Sequence, residues 1–377
     1  MSRPKVLQLG EIEHAHEAWA GLGSVADIVK PKATSRAEFL DECRSGAFDG
    51  VKAIYRTFAS VDTTGRIDAE LLAALPESVG FICHNGAGYD QIDVKACTAR
   101  GILVSNTPTA VDDATADMAI WLMLGALRNL NASVLSLRAR RWRGDPPPPL
   151  GRDPQGKVLG ILGMGGIGRN LARKAAAAFG MRVRYFNRTR LDPALEAECA
   201  AEYVDFETLL RESDVLSLNL PLNASLPSSP HPLFLKLSRQ MFMYSSTGGK
   251  KTNINVLTTT QAHTRHTISH AQFAQMKPGV VIVNTARGAV VDEAALVDAL
   301  ASGRVASAGL DVFEDEPEVH PGLLDNPNVL LVPHMGTWTV ETSLKMEEWA
   351  IGNTRRAVEE GRLNSVVVEQ RDLAKTA

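Results

Sequence analysis

The sequence predicts an α/β protein made of two parallel-sheet domains, each Rossmann-like or flavodoxin-like, with a cleft between them. Two observations favour this fold class: two long blocks of short apolar strands that alternate with helical stretches, and a glycine-rich turn near the start of the second block. The length of 377 residues and the hydrophobic content of 45% are sufficient for two packed cores. Such alternation is typical of parallel sheets covered by helices on both faces.

In the first block, short apolar runs predict four buried strands, and the stretches between them predict helices. The predicted strands are residues 5–10, 49–56, 78–86 and 102–106, and the predicted helices are residues 35–44, 67–75 and 90–100. A long helical stretch follows at 111–141, and four consecutive prolines at 146–149 predict an extended surface connector.

The second block predicts a six-stranded α/β series, followed by a long amphipathic helix at 340–360. The predicted strands are residues 157–163, 182–186, 214–220, 279–284, 305–312 and 328–333, and the predicted helices are residues 167–179, 206–212, 270–276 and 292–302. We expect a discontinuous substrate domain formed by residues 1–107 and 336–377, and a dinucleotide-binding domain formed by residues 108–335.

Residues 224–261 interrupt the second block between a strand and a helix. This segment contains four basic residues, no acidic residue and eleven serines or threonines, and it has no helical or strand periodicity. A structureless loop of 38 residues is unusual inside a compact domain. Two interpretations stay open: the segment is a genuine surface loop, or it is a translated intron that the mature message lacks.

Charge and composition argue against several classes of protein. The formal net charge of −3 gives no electrostatic basis for binding nucleic acid or a membrane surface. No apolar run approaches the roughly 20 residues of a membrane-spanning helix, and the first residues lack a signal-peptide pattern. The four cysteines are widely spaced, which favours reduced thiols in the cytoplasm over a disulfide framework. We expect no metal site.

A glycine-rich turn lies directly between a predicted strand and a predicted helix. Gly163, Gly165 and Gly168 have the G-x-G-x-x-G spacing of a dinucleotide-binding turn. In this motif the first glycine permits the tight turn, the second lets the backbone approach a pyrophosphate, and the third allows close packing of helix and strand. Gly166 and Ile167, at the start of the helix, would offer free N–H groups to the phosphates.

The end of the next predicted strand indicates which nicotinamide cofactor fits. An acidic residue usually holds the ribose 2′-hydroxyl of NAD at this place, but here the residue is Asn187. Without that carboxylate a 2′-phosphate is not repelled, and Arg188 can pair with it. Thr189 lies in the same loop, and Arg190 is a further possible donor. We therefore expect a preference for NADP(H), with NAD(H) as a usable alternative.

Three ionisable side chains follow the last three predicted strands, at the sheet edge where ligands bind in open α/β folds. They are Arg287, Glu316 and His334. An arginine can fix an anionic substrate and polarise its carbonyl, a histidine can transfer the hydroxyl proton, and a glutamate can orient the imidazole. This combination predicts acid–base chemistry on a small anionic carbonyl compound.

At these residues the sequence resembles the family of D-isomer-specific 2-hydroxyacid dehydrogenases. The resemblance covers nearly the whole chain except residues 224–261. It rests on the glycine turn and on the segments NTARGAVVDEAAL (284–296), GLDVFEDEP (309–317) and PHMG (333–336). It implies hydride transfer between a nicotinamide cofactor and a 2-keto or D-2-hydroxy acid. It also implies a homodimer built largely on the dinucleotide-binding domain.

The resemblance further implies roles for single residues. Arg287 would hold the carboxylate and carbonyl of the substrate, Glu316 would be the partner of His334, and His334 would protonate the carbonyl oxygen during reduction. The backbone N–H groups of Ala87 and Gly88 would grip the substrate carboxylate. Other expected contacts are Arg56 as a weaker substrate candidate, and Thr285, Ala286, Asp311, His334 and Gly336 on the cofactor side, with Asp311 supporting the site indirectly.

Several branches of this family stay open. Residues 107–117 resemble the glyoxylate/hydroxypyruvate reductase branch, whereas Trp338 stands where a small residue is common and would suit a D-mandelate-type dehydrogenase for bulkier acids. Formate dehydrogenases share the fold but have a Gln–His arrangement, so Glu316 argues against that activity. Transcriptional corepressors of the family bind dinucleotide and act as scaffolds, and they can retain the Arg–Glu–His set.

Overall fold

Two parallel β-sheets and the helices that cover them form the protein. The structure is a computed structural model that describes residues 3–222 and 264–373. The segment 224–261, for which two interpretations were open, lies outside the described residues. The predicted fold class is confirmed, because the two sheets contain five and seven strands and their strands pair in parallel.

The first sheet contains one strand more than predicted. Its strands are β1 (Lys5–Leu9), β2 (Asp27–Val29), β3 (Val51–Thr57), β4 (Phe81–Asn85) and β5 (Leu103–Ser105). They lie in the order β2-β1-β3-β4-β5. The additional strand β2 lies at the edge of the sheet, and its three residues are only partly buried or exposed, so no apolar run marks it in the sequence.

Three of the five helices of this part begin at a side chain that caps them. They are α1 (His16–Gly23), α2 (Arg36–Arg44), α3 (Val61–Thr64), α4 (Ala69–Ala74) and α5 (Val94–Ala99), with a 3₁₀ turn at Phe58–Ser60. Ser35, Asp68 and Asp93 each accept a hydrogen bond from a backbone N–H of the first turn that they precede. The helix predicted at 90–100 therefore starts only after Asp93, which leaves the residues before it free to form a loop.

The second sheet contains the six predicted strands and a seventh. Its strands are β6 (Val158–Leu162), β7 (Arg182–Phe186), β8 (Ala201–Tyr203), β9 (Val215–Leu218), β10 (Val280–Asn284), β11 (Val305–Leu310) and β12 (Val329–Leu331). Their order is β12-β11-β10-β9-β6-β7-β8. The chain thus runs outward from β6 in one direction and then returns to build the other half of the sheet, which creates a topological switch point between β6 and β9.

The long helical stretch predicted at 111–141 is present, but it consists of two helices and ends at Arg138. The helices of this part are α6 (Asp112–Leu127), α7 (Leu130–Arg138), α8 (Gly166–Phe179), α9 (Pro193–Glu198), α10 (Phe206–Glu212), α11 (His270–Gln275), α12 (Glu293–Ala301), α13 (Pro321–Leu324) and α14 (Val340–Glu360), with 3₁₀ turns at Gly288–Val290 and Val368–Gln370. Asn129 adopts a left-handed conformation between α6 and α7, and the two helices meet at 75°. Among the described residues no single helix is long and apolar enough to cross a membrane, and α6 and α7 reach that length only as a bent pair.

Buried apolar side chains form separate clusters on the two faces of each sheet. In the first sheet, Leu7 and Ile54 contribute to one cluster, while Val6 and Tyr55 contribute to another. This division follows from the alternation of side chains along a strand. Both sheets are therefore covered on both faces, as their near-continuous apolar strands predict.

Helix α14 returns the chain to the first sheet after the second is complete. It packs against β3 and β4. Its Glu347 is 4% exposed, and its carboxylate accepts hydrogen bonds from the N–H groups of Glu13, His14 and Ala15 at 2.9, 2.9 and 2.7 Å. These bonds join the C-terminal helix to the start of α1. The domain boundaries at 107 and 336 stay a prediction.

Candidate active site

The three predicted catalytic side chains lie at the carboxyl ends of three neighbouring strands. Arg287 follows β10, Glu316 follows β11, and His334 follows β12. Because these strands are adjacent and parallel, their carboxyl ends meet at one edge of the second sheet. A cavity of about 1260 Å³ opens at this edge and is lined by residues from both sheets.

His334 and Glu316 form a hydrogen-bonded pair in this cavity. The imidazole Nδ1 lies 2.9 Å from Oε2 of Glu316, and the other carboxylate oxygen accepts the N–H of Phe313 at 2.9 Å. Burial opposes ionisation of Glu316, but the hydrogen bond from His334 and the backbone N–H outweigh it, so the pKa of Glu316 lies below its ordinary value. An ionised carboxylate only accepts, so Nδ1 carries the proton and Nε2 is left for a substrate.

Hydrogen bonds to Asp311 fix the loop that carries His334. This carboxylate is 1% exposed and accepts the N–H groups of Met335 and Gly336. Its burial raises the pKa of Asp311 above the ordinary value. The backbone N–H of His334 donates to the Asp311 carbonyl at 2.8 Å, and His334 itself has a φ of +57°. Asp311 thus holds a strained backbone in place, and its indirect role in the site stays a prediction.

Arg287 is bound across the cavity by the loop that follows β4 of the first sheet. Its Nε donates to Oδ1 of Asp90 at 2.9 Å, and its Nη1 donates to the Ala286 carbonyl at 2.9 Å. The guanidinium also lies 5.9 Å from the ring centroid of Phe58. Sequence reasoning gave Asp90 no role, although it lies only two residues after Gly88.

The loop after β4 presents backbone donors to the same cavity. Asn106 donates to the Ala87 carbonyl at 2.7 Å, and the imidazole Nε2 of His84 lies 2.9 Å from the Gly88 carbonyl. Both carbonyls are therefore bound within the protein. In the described part of the chain nothing accepts a hydrogen bond from the N–H of Ala87 or Gly88, and both residues line the cavity. These two N–H groups can bind an anion, and their contact with a substrate carboxylate stays a prediction.

His84 and Arg56 form a buried layer beneath this loop. Burial and the neighbouring Arg56 lower the pKa of His84 well below its ordinary value, so the ring is neutral. Arg56 is fully buried, donates to Ser60 and Gln91 at 3.2 and 2.7 Å, and has its pKa lowered to about 10 by burial. Arg56 does not line the cavity, so it supports the loop in this structure. Sequence reasoning missed His84, whose place at the end of β4 was the available signal.

The glycine turn has the shape that a dinucleotide needs. Gly163 has a φ of +98°, and a Cβ at Gly168 would lie 2.4 Å from the Gly163 carbonyl oxygen. A Cβ at Gly165 would meet no heavy atom within 4 Å, so the space beside the first turn of α8 is open. Thr285 Oγ1 and Asn219 Oδ1 are buried at the cavity without a partner among the described residues. These features fit a dinucleotide whose phosphates lie at the start of α8 and whose nicotinamide enters the cavity.

The loop after β7 separates the two arginines that were expected to bind a 2′-phosphate. Asn187 is bound to the glycine turn, since its Oδ1 accepts the N–H of Met164 at 2.6 Å. Arg190 is paired with both carboxylate oxygens of Glu196 at 2.8 Å. Arg188 is exposed and has no hydrogen-bond partner within residues 3–222 and 264–373. Arg188 is therefore the donor that the loop leaves available.

The cavity brings together ten of the predicted site residues. They are Ala87, Gly88, Ile167, Thr285, Ala286, Arg287, Asp311, Glu316, His334 and Gly336. The other predicted cofactor residues, in the glycine turn and the loop after β7, lie outside its lining. Phe58 and Trp338, which are 38% and 69% exposed, add an apolar wall that includes the unusual tryptophan. The described residues contain no group of three or more side chains that could hold a metal ion.

The chain matches a family model over about half of its length and a reductase over almost all of it. The model described as "D-isomer specific 2-hydroxyacid dehydrogenase, NAD binding domain" matches residues 120–227 and 250–336. The 4-methyl-2-oxopentanoate reductase A of Aspergillus oryzae is 50% identical over 370 residues, which cover 98% of this chain and 99% of that protein.

Two solved structures share the fold. The glyoxylate reductase from Paecilomyes thermophila has a TM-score of 0.85 and 49% identity, covering 98% of this chain and 100% of that chain. The holo form of D-mandelate dehydrogenase from Rhodotorula graminis has a TM-score of 0.82 and 30% identity, covering 98% of each chain. The chain therefore belongs to the D-isomer-specific 2-hydroxyacid dehydrogenases, a family of nicotinamide-dependent oxidoreductases, as its motifs predicted.

Proposed function

We propose that this enzyme reduces 2-keto acids to D-2-hydroxy acids with NADPH, and that glyoxylate and hydroxypyruvate are among its substrates. The observation that carries the proposal is the convergence of Arg287, Glu316 and His334 with the free N–H groups of Ala87 and Gly88 on one cavity. This set offers an anion-binding loop, a cation beside it and a proton donor.

The geometry supports a division of labour during reduction. The N–H groups of Ala87 and Gly88 bind the substrate carboxylate, and Arg287 stabilises the negative charge that develops on the carbonyl oxygen. His334, protonated at both ring nitrogens, donates the proton from Nε2 to that oxygen and keeps the Nδ1 proton, through which Glu316 fixes the imidazole. When bound at the glycine turn, the nicotinamide cofactor supplies the hydride.

We also propose that the two parts of the chain close on the substrate as domains. The substrate domain would comprise residues 1–107 and 336–377, and the dinucleotide-binding domain residues 108–335. The Arg287–Asp90 ion pair supports this division, since it joins the two sides of the cavity at 2.9 Å. Closure would exclude water from the reacting carbonyl.

NADP(H) is the preferred cofactor in this proposal, and NAD(H) is a weaker one. Two neighbouring residues support this preference. Asn187 carries no carboxylate that would repel a 2′-phosphate, and Arg188 has no competing partner among the described residues. Arg190, by contrast, is occupied by Glu196. The preference therefore depends on a single arginine and should be moderate in size.

A second candidate substrate class is a keto acid with a bulky apolar side chain. The observation that favours it is the wall formed by Phe58 and Trp338, which line the cavity and are 38% and 69% exposed. Burying apolar surface of the substrate against these rings would favour it by about 25 cal/mol per Å². The reductase from Aspergillus oryzae carries the name of a branched-chain keto acid, and the Rhodotorula enzyme that of an aromatic acid.

The test is steady-state oxidation of NADPH and NADH with glyoxylate, hydroxypyruvate, 4-methyl-2-oxopentanoate and phenylglyoxylate. We expect faster turnover with NADPH, and the ratio of kcat/KM values ranks the small against the bulky acids. A higher kcat/KM with NADH would contradict the cofactor assignment. Absence of turnover with every acid, together with dinucleotide binding, would favour the corepressor-like scaffold.

The same assay, run on the full chain beside a variant that lacks residues 224–261, addresses the insert. Equal activity would support a genuine surface loop. Activity only in the shorter chain, with a mature message that lacks the segment, would support the intron. Sequencing the transcript gives the independent control.

We propose a homodimer formed through α7 and the segment that follows it. Exposed apolar side chains concentrate there and on the neighbouring α6: Trp121, Leu130, Val134, Leu135, Leu137, Trp142 and Leu150 are each at least 44% exposed. An apolar patch of this kind on one subunit fits the same patch on a second copy. Sedimentation should give a dimer, and the substitution Leu137→Lys should shift it toward monomer. A monomeric native protein would refute the proposal.

We place the enzyme in the cytoplasm. All four cysteines are buried and unpaired, which suits a reducing compartment. Cell fractionation tests this assignment, and recovery of the protein in a secreted or organellar fraction would contradict it.

A further inference from the structure

Asp112 places a carboxylate against the helix start that receives the dinucleotide phosphates. It is the first residue of α6, and α6 packs along α8. A Cβ at Gly166, the first residue of α8, would lie 1.9 Å from Oδ2 and 2.4 Å from Cγ of Asp112. The glycine at this position therefore makes room for a carboxyl group directly beside the first turn of α8.

The surroundings of this carboxyl group differ from those of its neighbour. Within the described ranges no hydrogen-bond donor reaches the Asp112 carboxylate, whereas the exposed Asp113 pairs with Lys174 at 3.3 Å. Arg169 and Arg173 of α8 favour ionisation of Asp112, and Asp113 opposes it. Burial has the largest effect, and it raises the pKa of Asp112 to about 6. The group therefore changes its charge close to neutral pH.

We propose that Asp112 makes dinucleotide affinity depend on pH, because its ionised carboxylate opposes the pyrophosphate and its protonated form does not. The first turn of α8 attracts the phosphates through free N–H groups and the helix dipole. A negative charge packed on Gly166 offsets that attraction. Binding of the pyrophosphate must in turn favour the protonated form of Asp112, so a proton is taken up from solvent as the dinucleotide binds.

The effect has a defined sign and size. The affinity for the dinucleotide is highest at pH values below the pKa that Asp112 has in the free protein. It falls as the pH rises through that pKa, and it becomes constant again above the higher pKa that Asp112 has in the bound state. Each unit by which binding raises this pKa weakens the affinity about tenfold across the titration. The inference rests on dinucleotide binding at the glycine turn and is independent of the keto acid used.

The test is the Kd of NADH, measured by fluorescence titration between about pH 5.5 and pH 8. NADH is the probe because it lacks the 2′-phosphate, which would itself titrate in this range. We expect the Kd of the native protein to rise about tenfold across the range. Asp112→Asn should remove most of this rise and bind NADH at the alkaline end as tightly as the native protein does at the acid end.

The matched control is Asp113→Asn, which removes an exposed carboxylate one residue away. It should keep the full size of the native rise in Kd, with its midpoint at a slightly lower pH because Asp113 opposes ionisation of Asp112. Retention of the full dependence in Asp112→Asn would overturn the proposal. A native Kd that does not change with pH would also overturn it.

A second measurement on the native chain keeps the proposal testable if the variant does not fold. Calorimetric titration with NADH in two buffers of different ionisation enthalpy should show net proton uptake near pH 6.5, at about a third to a half of a proton per site. No uptake would contradict the role of Asp112. Absence of binding of both NADH and NADPH at every pH would instead refute dinucleotide binding itself, and with it this inference.

Discussion

Gly88 lies directly against the guanidinium of Arg287, and its substitution by alanine tests whether this contact positions the arginine. A Cβ at Gly88 would lie 1.8 Å from Nη2 of Arg287, whereas ordinary contacts begin at 3.4 Å. The guanidinium must therefore move by about 1.6 Å. Such a shift breaks or bends its hydrogen bonds to Asp90 and to the Ala286 carbonyl, both 2.9 Å long.

A displacement of about 1 Å at a group that positions the substrate can cost about a hundredfold in rate. We therefore expect Gly88→Ala to lower kcat/KM for the keto acid at least a hundredfold, which corresponds to about 2.7 kcal/mol. The clash involves the far end of a flexible side chain, so the free energy of unfolding should fall by no more than about 1 kcal/mol. The variant should thus be folded and nearly inactive.

Oxidation of the reduced nicotinamide gives kcat and KM, and urea denaturation gives the free energy of unfolding. Gly80→Ala is the matched control, because a Cβ there would meet no heavy atom within 4 Å, and it should keep both activity and stability. Native kcat/KM in Gly88→Ala would refute the positioning argument. A loss of stability above about 3 kcal/mol would show that the backbone gives way instead of the arginine.

Three further predictions concern cofactor choice, the proton donor's partner and the C-terminal helix. Arg188→Gln should raise the Kd of NADPH about tenfold and leave the Kd of NADH unchanged. Arg190→Gln is the control and should leave the ratio of the two Kd values as it is in the native protein. Fluorescence titration measures both constants. Glu316→Gln should lower kcat about a hundredfold. Because the folded-state pKa of Glu316 is lowered, its carboxylate stabilises the fold at neutral pH, and this contribution disappears as pH falls through that pKa. Urea denaturation at several pH values should therefore show the stabilities of native protein and Glu316→Gln converging in acid. Glu347→Ala should lower the free energy of unfolding by about 3 to 5 kcal/mol, because three backbone N–H groups lose their acceptor. Substitution of the exposed Glu348 by alanine is the control. An equal loss of stability in both variants would contradict the reasoning.

The sequence by itself determined the fold class and the strand ends at which the three candidate catalytic residues lie. Arg287, Glu316 and His334 each follow a strand within a few residues, and a strand is recognisable from its own apolar run. The glycine turn is equally local, since its spacing and its place between strand and helix lie within one short stretch of chain. The sequence predicts less well a helix boundary that depends on a single residue. The break between α6 and α7 at Asn129 is an example, because asparagine permits either a continuous or a broken helix.

Only the tertiary structure decided which partners these residues have. Arg287 pairs with Asp90, 197 positions away, and Asp112 packs on Gly166, yet neither contact has a periodic signal in the sequence. Arg190 was expected as a further donor to a phosphate, but Glu196 on α9 holds it. The physical reason is that helices and strands follow from local patterns, whereas an ion pair follows from which side chains the assembled sheets bring within about 4 Å.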